Sequence, residues 1–203
     1  MDAHATTSPW STVPRLAGRH AVLEPLAREH VDGLRVAVEG SGLDRLWYTS
    51  VPAPNDVSGY VDAALQAQAE GRVLPFVVRD AAGTVVGSTR FYGLDPEVPR
   101  LLIGYTWYAP RVQRSGANTE CKLMLLRHAF ESMGCACVGF ETSWFNHASR
   151  AAIARLGAKQ DGVLRSHKRH ADGTLRDTVA FSILDSEWPV VRNHLRARLD
   201  AHA

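Results

Sequence analysis

The sequence predicts an α/β fold of the mixed α+β type: a mostly antiparallel mixed sheet of six or seven strands with helices on both faces. Two observations lead to it. Some apolar segments are joined by short turns typical of hairpins, whereas others are separated by amphipathic helical segments. With 203 residues, 45% hydrophobic and 22% charged, the composition is that of one soluble globular domain. We predict that this domain spans residues 18–203 and follows a loose N-terminal leader, residues 1–17.

The first half of the chain contains three strand-like and two helical segments. The helices end at Gly40 and Gly71, residues that suit helix C-termini, and the last two strands are joined by a hairpin turn at residues 80–83. The predicted order is strand 20–26, helix 29–39, helix 55–70, strand 74–79 and strand 84–92.

The second half alternates strands and helices before a final hairpin. In its first helix, Leu123, Leu126 and Phe130 share one side and Glu120 lies on another, which predicts an amphipathic helix that covers the sheet. The predicted order is strand 101–108, helix 119–133, strand 137–142, helix 146–156, strands 160–166 and 175–184, and a helix that runs to residue 199.

Charge and cysteine content exclude several classes of partner. A formal net charge of +2 is too small to indicate a nucleic-acid-binding protein. Nowhere do about 18 apolar residues follow one another, so we expect no membrane partner. The three cysteines, Cys121, Cys135 and Cys137, lack a second pair at metal-binding spacing, so we expect no metal and a reducing, cytoplasmic location. A homodimer is compatible with the sequence.

The most informative segment is residues 113–118, which enter a helix directly after an apolar strand. The free NH groups of a first helical turn, the helix dipole and an adjacent arginine can together bind a phosphate or pyrophosphate. The alternative is a polar connection in which Asn118 only caps the helix. The candidate phosphate ligands are Gln113, Arg114, Ser115, Gly116, Ala117, Asn118 and Thr119.

The order of elements and two motifs resemble the GCN5-related N-acetyltransferases (GNAT). Their signature is Gln or Arg, two residues, Gly, one residue, then Gly or Ala; here Gln113 and Gly116 match, and Asn118 stands at the last position. Asn146 and Ser149 resemble the Asn-x-x-Ser of the branch that contains the ribosomal-protein alanine N-acetyltransferases. The resemblance spans roughly residues 18–184 and implies acetyl-CoA as co-substrate and an amine as acceptor.

The resemblance also implies roles around the thioester. Trp107 and Tyr108 would flank it, and Ser149 would stand in place of the tyrosine that other members use to protonate the CoA thiolate. Because a serine hydroxyl has a high pKa, we expect it to donate a hydrogen bond to the thiolate. Asn146 has two open assignments: it caps its own helix, or its amide binds the pantetheine arm.

Two residues are candidate proton acceptors. Glu141 lies in an otherwise apolar strand, on the same side as Gly139 and Ser143. It is a candidate base if that side faces the cleft, and a structural residue if it faces solvent or an arginine. His167 has an ordinary pKa near 6.5, which suits a general base. The segment 166–170 contains no carboxylate, although members of the ribosomal branch resemble one another in placing a glutamate around this hairpin.

Three residues are candidates for binding the acceptor. Trp47 and Tyr48 follow the first helix, where the family shapes its acceptor pocket, and they could form an apolar wall or belong to the core. Asp177 could bind the acceptor ammonium or pair with a neighbouring arginine. The basic cluster at residues 165–170 has three open interpretations: a solvated hairpin, a site for an acidic or phosphate-bearing acceptor or the CoA 3′-phosphate, or a catalytic His167. In each case it argues against a polycationic acceptor, because like charges repel.

We therefore expect an acetyl-CoA-dependent N-acetyltransferase that transfers acetyl directly to a protein N-terminus or a small amine. The alternative is a domain that binds acyl-CoA as a sensor or regulator with little turnover. A nucleotide-binding protein is disfavoured, because the chain lacks the Gly-x4-Gly-Lys-Ser/Thr pattern.

Overall fold

The computed structural model describes residues 8–201. The strands of this part of the chain form one eight-stranded sheet. Its strands are β1 (Leu16–Ala17), β2 (Ala21–Pro25), β3 (Val73–Asp80), β4 (Val85–Asp95), β5 (Arg100–Tyr108), β6 (Cys137–Ser143), β7 (Lys159–Arg169) and β8 (Leu175–Leu184). They lie in the order β1-β2-β3-β4-β5-β6-β8-β7. All neighbours are antiparallel except β5 and β6, which run parallel.

Helices cover both faces of this sheet, so the predicted fold class is confirmed. They are α1 (Val31–Val38), α2 (Val57–Ala69), α3 (Gly116–Arg127), α4 (His147–Ala154) and α5 (Trp188–Asp200). Tyr60 of α2 donates a hydrogen bond to Ser88 of β4, and Lys122 of α3 donates one to Thr106 of β5. Ser88 and Thr89 are successive residues of β4, so their side chains point to opposite faces of the sheet. Thr89 bonds Thr106, the partner of Lys122, so α3 lies on the face opposite α2. We call the two faces the α2 face and the α3 face.

The sheet has one more strand than the upper predicted number. The addition is the two-residue β1, whose Leu16 pairs with Leu23 of β2. Val13 is buried, so ordered packing begins before residue 18. Residues 1–7 of the predicted leader lie outside the described part of the chain.

Helix α3 begins three residues earlier than predicted, because Ser115 caps it. The Ser115 hydroxyl accepts a hydrogen bond from the Ala117 NH at 3.2 Å and donates one to the Val112 carbonyl at 2.7 Å. Gly116, Ala117 and Asn118 therefore form the first helical turn. At the other end, one turn of π-helix at His128–Ser132 extends α3.

Glu120 was expected on the outer side of its helix, but it is buried. Its carboxylate accepts hydrogen bonds from the backbone NH groups of Arg19, His20 and Ala21 at 2.7, 2.6 and 2.8 Å. These three NH groups belong to the β1–β2 turn, so one side chain fastens the N-terminal hairpin to α3. A Cβ at Gly18 would collide with this carboxylate, which accounts for the glycine. Within residues 8–201, no helix is long and apolar enough to cross a membrane.

Candidate active site

The two parallel strands at the centre of the sheet separate along their length. Only Arg100, Leu101 and Leu102 pair with β6, through Cys137, Val138 and Gly139. Beyond these positions, no residue of β5 pairs with a residue of β6 in the described part of the chain. The backbone groups along the facing edges of β5 and β6 can therefore bind a ligand chain that enters between the strands. We call this opening the cleft.

A bulge in β5 lies beyond the last residues that pair with β6. Between the pairs Ser88–Trp107 and Arg90–Gly104 the register shifts, and Tyr105 in this interval has a φ of 52°. A non-glycine residue at this φ is unusual in a strand. The shift sends Thr106 to the α3 face, where it bonds Lys122 and Thr89, and Trp107 to the α2 face.

The predicted phosphate ligands lie where β5 ends and α3 begins. The Gln113 side chain donates to the Tyr108 carbonyl at 3.0 Å, so it ties the segment to β5. Arg114 has a φ of 61°, which turns the chain into α3. The Gly116 position faces the His20 ring, which a Cβ would approach to 3.1 Å, so glycine allows this contact. Asn118 and Thr119 are half-buried in the first turn.

The second predicted motif lies at the N-terminus of α4, after β6. The Asn146 side-chain oxygen accepts a hydrogen bond from the Ser149 NH at 3.0 Å. The Asn146 oxygen therefore caps α4, and the side-chain amide nitrogen can bind another group. Ser149 is half-buried on the first turn of α4. Because β5 and β6 are parallel, the starts of α3 and α4 lie at the same end of the cleft.

Trp107 and Tyr108, the predicted neighbours of the thioester, have buried side chains. Among the described residues, the Trp107 indole nitrogen has no hydrogen-bond partner, whereas the Tyr108 hydroxyl lies beside the Cys121 thiol. Burial raises the pKa of Tyr108 well above its ordinary value, so its hydroxyl stays protonated.

The candidate base Glu141 lies on the α2 face of β6. It pairs with Lys168 of β7, with 2.5 Å between Nζ and Oε2, and 16% of its side chain is exposed. Nearby, burial and then the negative charge of Glu141 raise the pKa of Tyr92. The Tyr92 ring crosses β5 at Gly104, where a Cβ would lie 2.7 Å from it. The structure therefore brings Glu141 and a neutral tyrosine together beside the cleft.

His167 and Asp177, the other predicted polar site residues, meet at a wide bulge in β7. Residues 165–167 oppose only Asp177 of β8. Asp177 accepts a hydrogen bond from the Ser166 NH at 2.8 Å and forms an ion pair with Arg165 at 2.6 Å. Of its two expected roles, the structure contains the pairing with a neighbouring arginine. His167 is exposed on this bulge.

Trp47 joins three segments near the C-terminal end of β6. Its ring lies 5.5 Å from Tyr48, 5.4 Å from Phe145 and 4.7 Å from His170, measured between ring centroids. Phe145 precedes α4 and His170 belongs to the β7–β8 turn. Trp47 is 44% exposed, so the cluster presents an apolar surface.

Sequence reasoning missed Lys122, which is buried beneath β5. Its ammonium donates to Thr106 at 2.8 Å, and Thr106 shares a hydrogen bond with Thr89 at 2.8 Å. Lys122 forms no ion pair within residues 8–201, and burial lowers its pKa to about 8. The sequence signal is a lysine that shares a helix side with Leu125 and Leu126, three and four residues later.

Two cavities lie outside the cleft. One of about 320 Å³ is on the α2 face below Glu141, and Leu102 and Ala180 contribute to it. The other, about 660 Å³, lies between α4 and α5 and contains none of the predicted site residues. The smaller cavity therefore extends the surface beside the cleft, whereas the larger one is separate from it.

Comparison with known proteins identifies the family. The family model described as "Acetyltransferase (GNAT) domain" matches residues 20–159, more than half of the chain. The chain belongs to the GNAT acetyltransferase family. The match ends at the first residue of β7 and therefore includes the cleft of this GNAT domain and the starts of α3 and α4.

Individual relatives agree with this assignment. The GNAT domain is 30% identical over 112 residues to YdaF of Bacillus subtilis (strain 168), named as a candidate ribosomal N-acetyltransferase; the match covers 52% of this chain and 57% of YdaF. A GCN5-related N-acetyltransferase from Brucella melitensis superposes with a TM-score of 0.84 at 29% identity, over 93% of this chain and 86% of that one. Mycobacterium smegmatis RimJ, in complex with CoA-disulfide, shares the fold: TM-score 0.75, 21% identity, 94% and 96% coverage.

Proposed function

We propose that this protein is an acetyl-CoA-dependent N-acetyltransferase that transfers acetyl directly to a primary amine. The observation that carries the proposal is the cleft between β5 and β6, which opens toward the starts of two helices. Its unpaired strand edges suit the amides of a pantetheine chain, and the start of α3 with Arg114 suits a pyrophosphate. The CoA-disulfide bound by the RimJ relative supports this fit.

Acetyl-CoA would supply the activated acyl group as a thioester. The residues of the chain orient the thioester and the amine and accept or donate the protons that the transfer moves. Residues 113–119 hold the pyrophosphate, and the backbone of β5 near Trp107 and Tyr108 donates NH groups to a developing oxyanion. The Ser149 hydroxyl, with the Asn146 amide beside it, donates a hydrogen bond to the departing thiolate.

Glu141 is the better supported proton acceptor. It lies on the α2 face with Tyr92 at the side of the cleft, whereas His167 is exposed on the β7 bulge. A carboxylate at this position can take a proton from an acceptor ammonium so that the neutral amine attacks. Trp47 and Tyr48 form the apolar wall of the acceptor path.

The acceptor is a protein N-terminus or a small-molecule amine. The name of YdaF and the Asn146–Ser149 motif favour the N-terminus of a ribosomal protein. The exposed Trp47 cluster agrees with this, because a polypeptide acceptor requires an open apolar surface.

One observation favours the second candidate, a domain that binds acyl-CoA as a sensor. Both candidate bases are poorly placed for proton transfer: Glu141 is held by Lys168, and His167 makes no hydrogen bond within the described residues. A sensor would bind acetyl-CoA and release no thiol.

The test combines acetyl-CoA binding with turnover. We expect acetyl-CoA to raise the melting temperature, because a ligand that binds only the folded state stabilises it. Thiol release is then followed with amines and N-terminal peptides. Stabilisation with release supports the enzyme, stabilisation without release supports the sensor, and absence of stabilisation refutes both.

Variants separate the bases. We expect Glu141→Gln to lower kcat by roughly 100-fold and His167→Gln to lower it less than threefold. The matched control is Glu97→Gln, which alters an exposed loop carboxylate and should leave kcat unchanged. Full activity of Glu141→Gln would remove Glu141 from the mechanism.

A further inference from the structure

Arg90 of β4 is a buried cation without an anionic partner. It is 7% exposed, and within residues 8–201 its side chain forms neither an ion pair nor a hydrogen bond; its Nε atom is buried and unsatisfied. Burying a charge in this way is costly unless the charge is compensated. A bound ligand would supply the missing compensation.

Two tyrosines cover the flat faces of this guanidinium. Its central carbon lies 4.2 Å from the centroid of the Tyr105 ring and 5.0 Å from that of Tyr60. Stacking of this kind occupies the faces of the group, whereas its NH donors lie in its plane and can still form hydrogen bonds. The arrangement is suited to two parallel hydrogen bonds with one anionic group.

Arg90 lies beside the cleft. It pairs across the sheet with Gly104, two positions beyond the last residue of β5 that pairs with β6. Tyr105, which covers it, is the bulge residue of β5 and is 45% exposed. The guanidinium edge is therefore next to the place where the acceptor would meet the thioester.

The surrounding charge is also positive. Strand register puts Arg176 on the same face as Glu141, and the Arg176 Nε is likewise buried without a partner in the described chain. With Lys168, this part of the α2 face carries three cations and one carboxylate. Such a field attracts an anionic acceptor and repels a polycation.

We propose that Arg90 binds an anionic group of the acceptor, so that the substrate class is amines carrying a carboxylate or a phosphate near the amine. The proposal rests on the proposed function and specifies its acceptor. Arg90 would bind the anion of a zwitterionic acceptor, and Glu141 would face its ammonium group and receive the proton.

The experiment compares matched acceptors that differ only in the anion. Amino acids and acidic N-terminal peptides are paired with their carboxamides, and phosphoethanolamine is paired with ethanolamine. We expect kcat/KM to be at least about 10-fold higher for the anionic member of the preferred pair. The carboxylate and phosphate arms then identify which anion is bound.

Substitutions assign the preference to Arg90. Arg90→Gln should reduce the anionic preference to less than twofold and leave the KM for acetyl-CoA unchanged, and Arg90→Lys should retain part of it. The control is Arg72→Gln, an exposed arginine paired with Glu70, which should retain the full preference. Thermal denaturation checks that each variant folds.

The outcomes are distinguishable. Equal use of both members of every pair, or preference for the uncharged member, would overturn the role of Arg90 even if no variant folded. Transfer to uncharged amines alone would also overturn it, whereas binding of acetyl-CoA without transfer to any amine would refute the proposed enzyme. Failure to bind acetyl-CoA would instead refute the proposed function itself.

Discussion

At the scale of single residues, Arg114 combines a backbone cost with a charge at the start of α3. Its φ of 61° belongs to the left-handed region, which costs a non-glycine residue roughly 1–2 kcal/mol. Retention of arginine at such a position is explained if its guanidinium binds the CoA phosphates.

We expect Arg114→Gly to change stability and cofactor binding in opposite directions. Glycine adopts this φ freely, so the free energy of unfolding should rise by about 1 kcal/mol, while loss of the charge should raise the KM for acetyl-CoA roughly 5-fold. Denaturation and steady-state kinetics measure the two effects. Ser166→Gly, at a φ of 49° in the β7 bulge, is the control: stability should rise without a change in this KM. An unchanged KM in Arg114→Gly would remove Arg114 from the phosphate site.

The same scale shows where sequence reasoning succeeds and fails. Asn146 and Ser149 could be located from sequence because a cap acts within one turn. Glu120 could not, because its three NH partners are about 100 positions away along the chain. Arg90 was missed for a similar reason: its tyrosine neighbours come from α2 and β5.

At the scale of elements, the β7 bulge depends on one carboxylate. Asp177 bonds the Ser166 NH and the Arg165 side chain, and the bulge holds residues 165–167. We expect Asp177→Asn to lower the free energy of unfolding by about 1 kcal/mol and to raise the acceptor KM, with the KM for acetyl-CoA unchanged. Chemical denaturation and kinetics with each substrate varied in turn test this. A change in the KM for acetyl-CoA alone would contradict it.

Strand and helix order could be predicted from the sequence, because apolar periodicity and turn residues are local. The separation of β5 from β6 and the bulge at Tyr105 could not, because neither leaves a periodic pattern in the sequence. Strand alternation placed Glu141 with Gly139 and Ser143, but only the sheet order shows that this side is the α2 face. The predicted start of α3 is three residues too late, because a serine that caps a helix resembles a loop serine in sequence.

At the scale of the whole molecule, buried Lys122 makes stability depend on pH. Burial lowers its pKa from 10.5 to about 8. Between these pH values the unfolded chain keeps a proton that the folded protein releases, so the free energy of unfolding rises as pH rises from about 8 to 10.5. Below about pH 8 the buried Lys122 is charged in the folded protein, so its burial lowers the free energy of unfolding by the full amount.

We therefore expect Lys122→Met to be more stable than the wild type at pH 7, by roughly 2–4 kcal/mol. The difference should shrink at pH 9.5, and urea denaturation at both values measures it. Lys159→Met, in which the lysine side chain is 77% exposed, should show no such trend. A destabilised Lys122→Met protein at pH 7 would show that the hydrogen bond to Thr106 outweighs the cost of burial.

The bulge in β7 also bears on self-association. As the last strand in the sheet order, β7 has an open edge, and flat edges of this kind let protein chains join into larger sheets. The register along β7 is interrupted between Leu164 and Lys168, and Arg165, Lys168 and Arg169 add positive charge. We expect two molecules that met edge to edge to align only as far as Leu164, because the bulge and the positive side chains beyond it interrupt the edge.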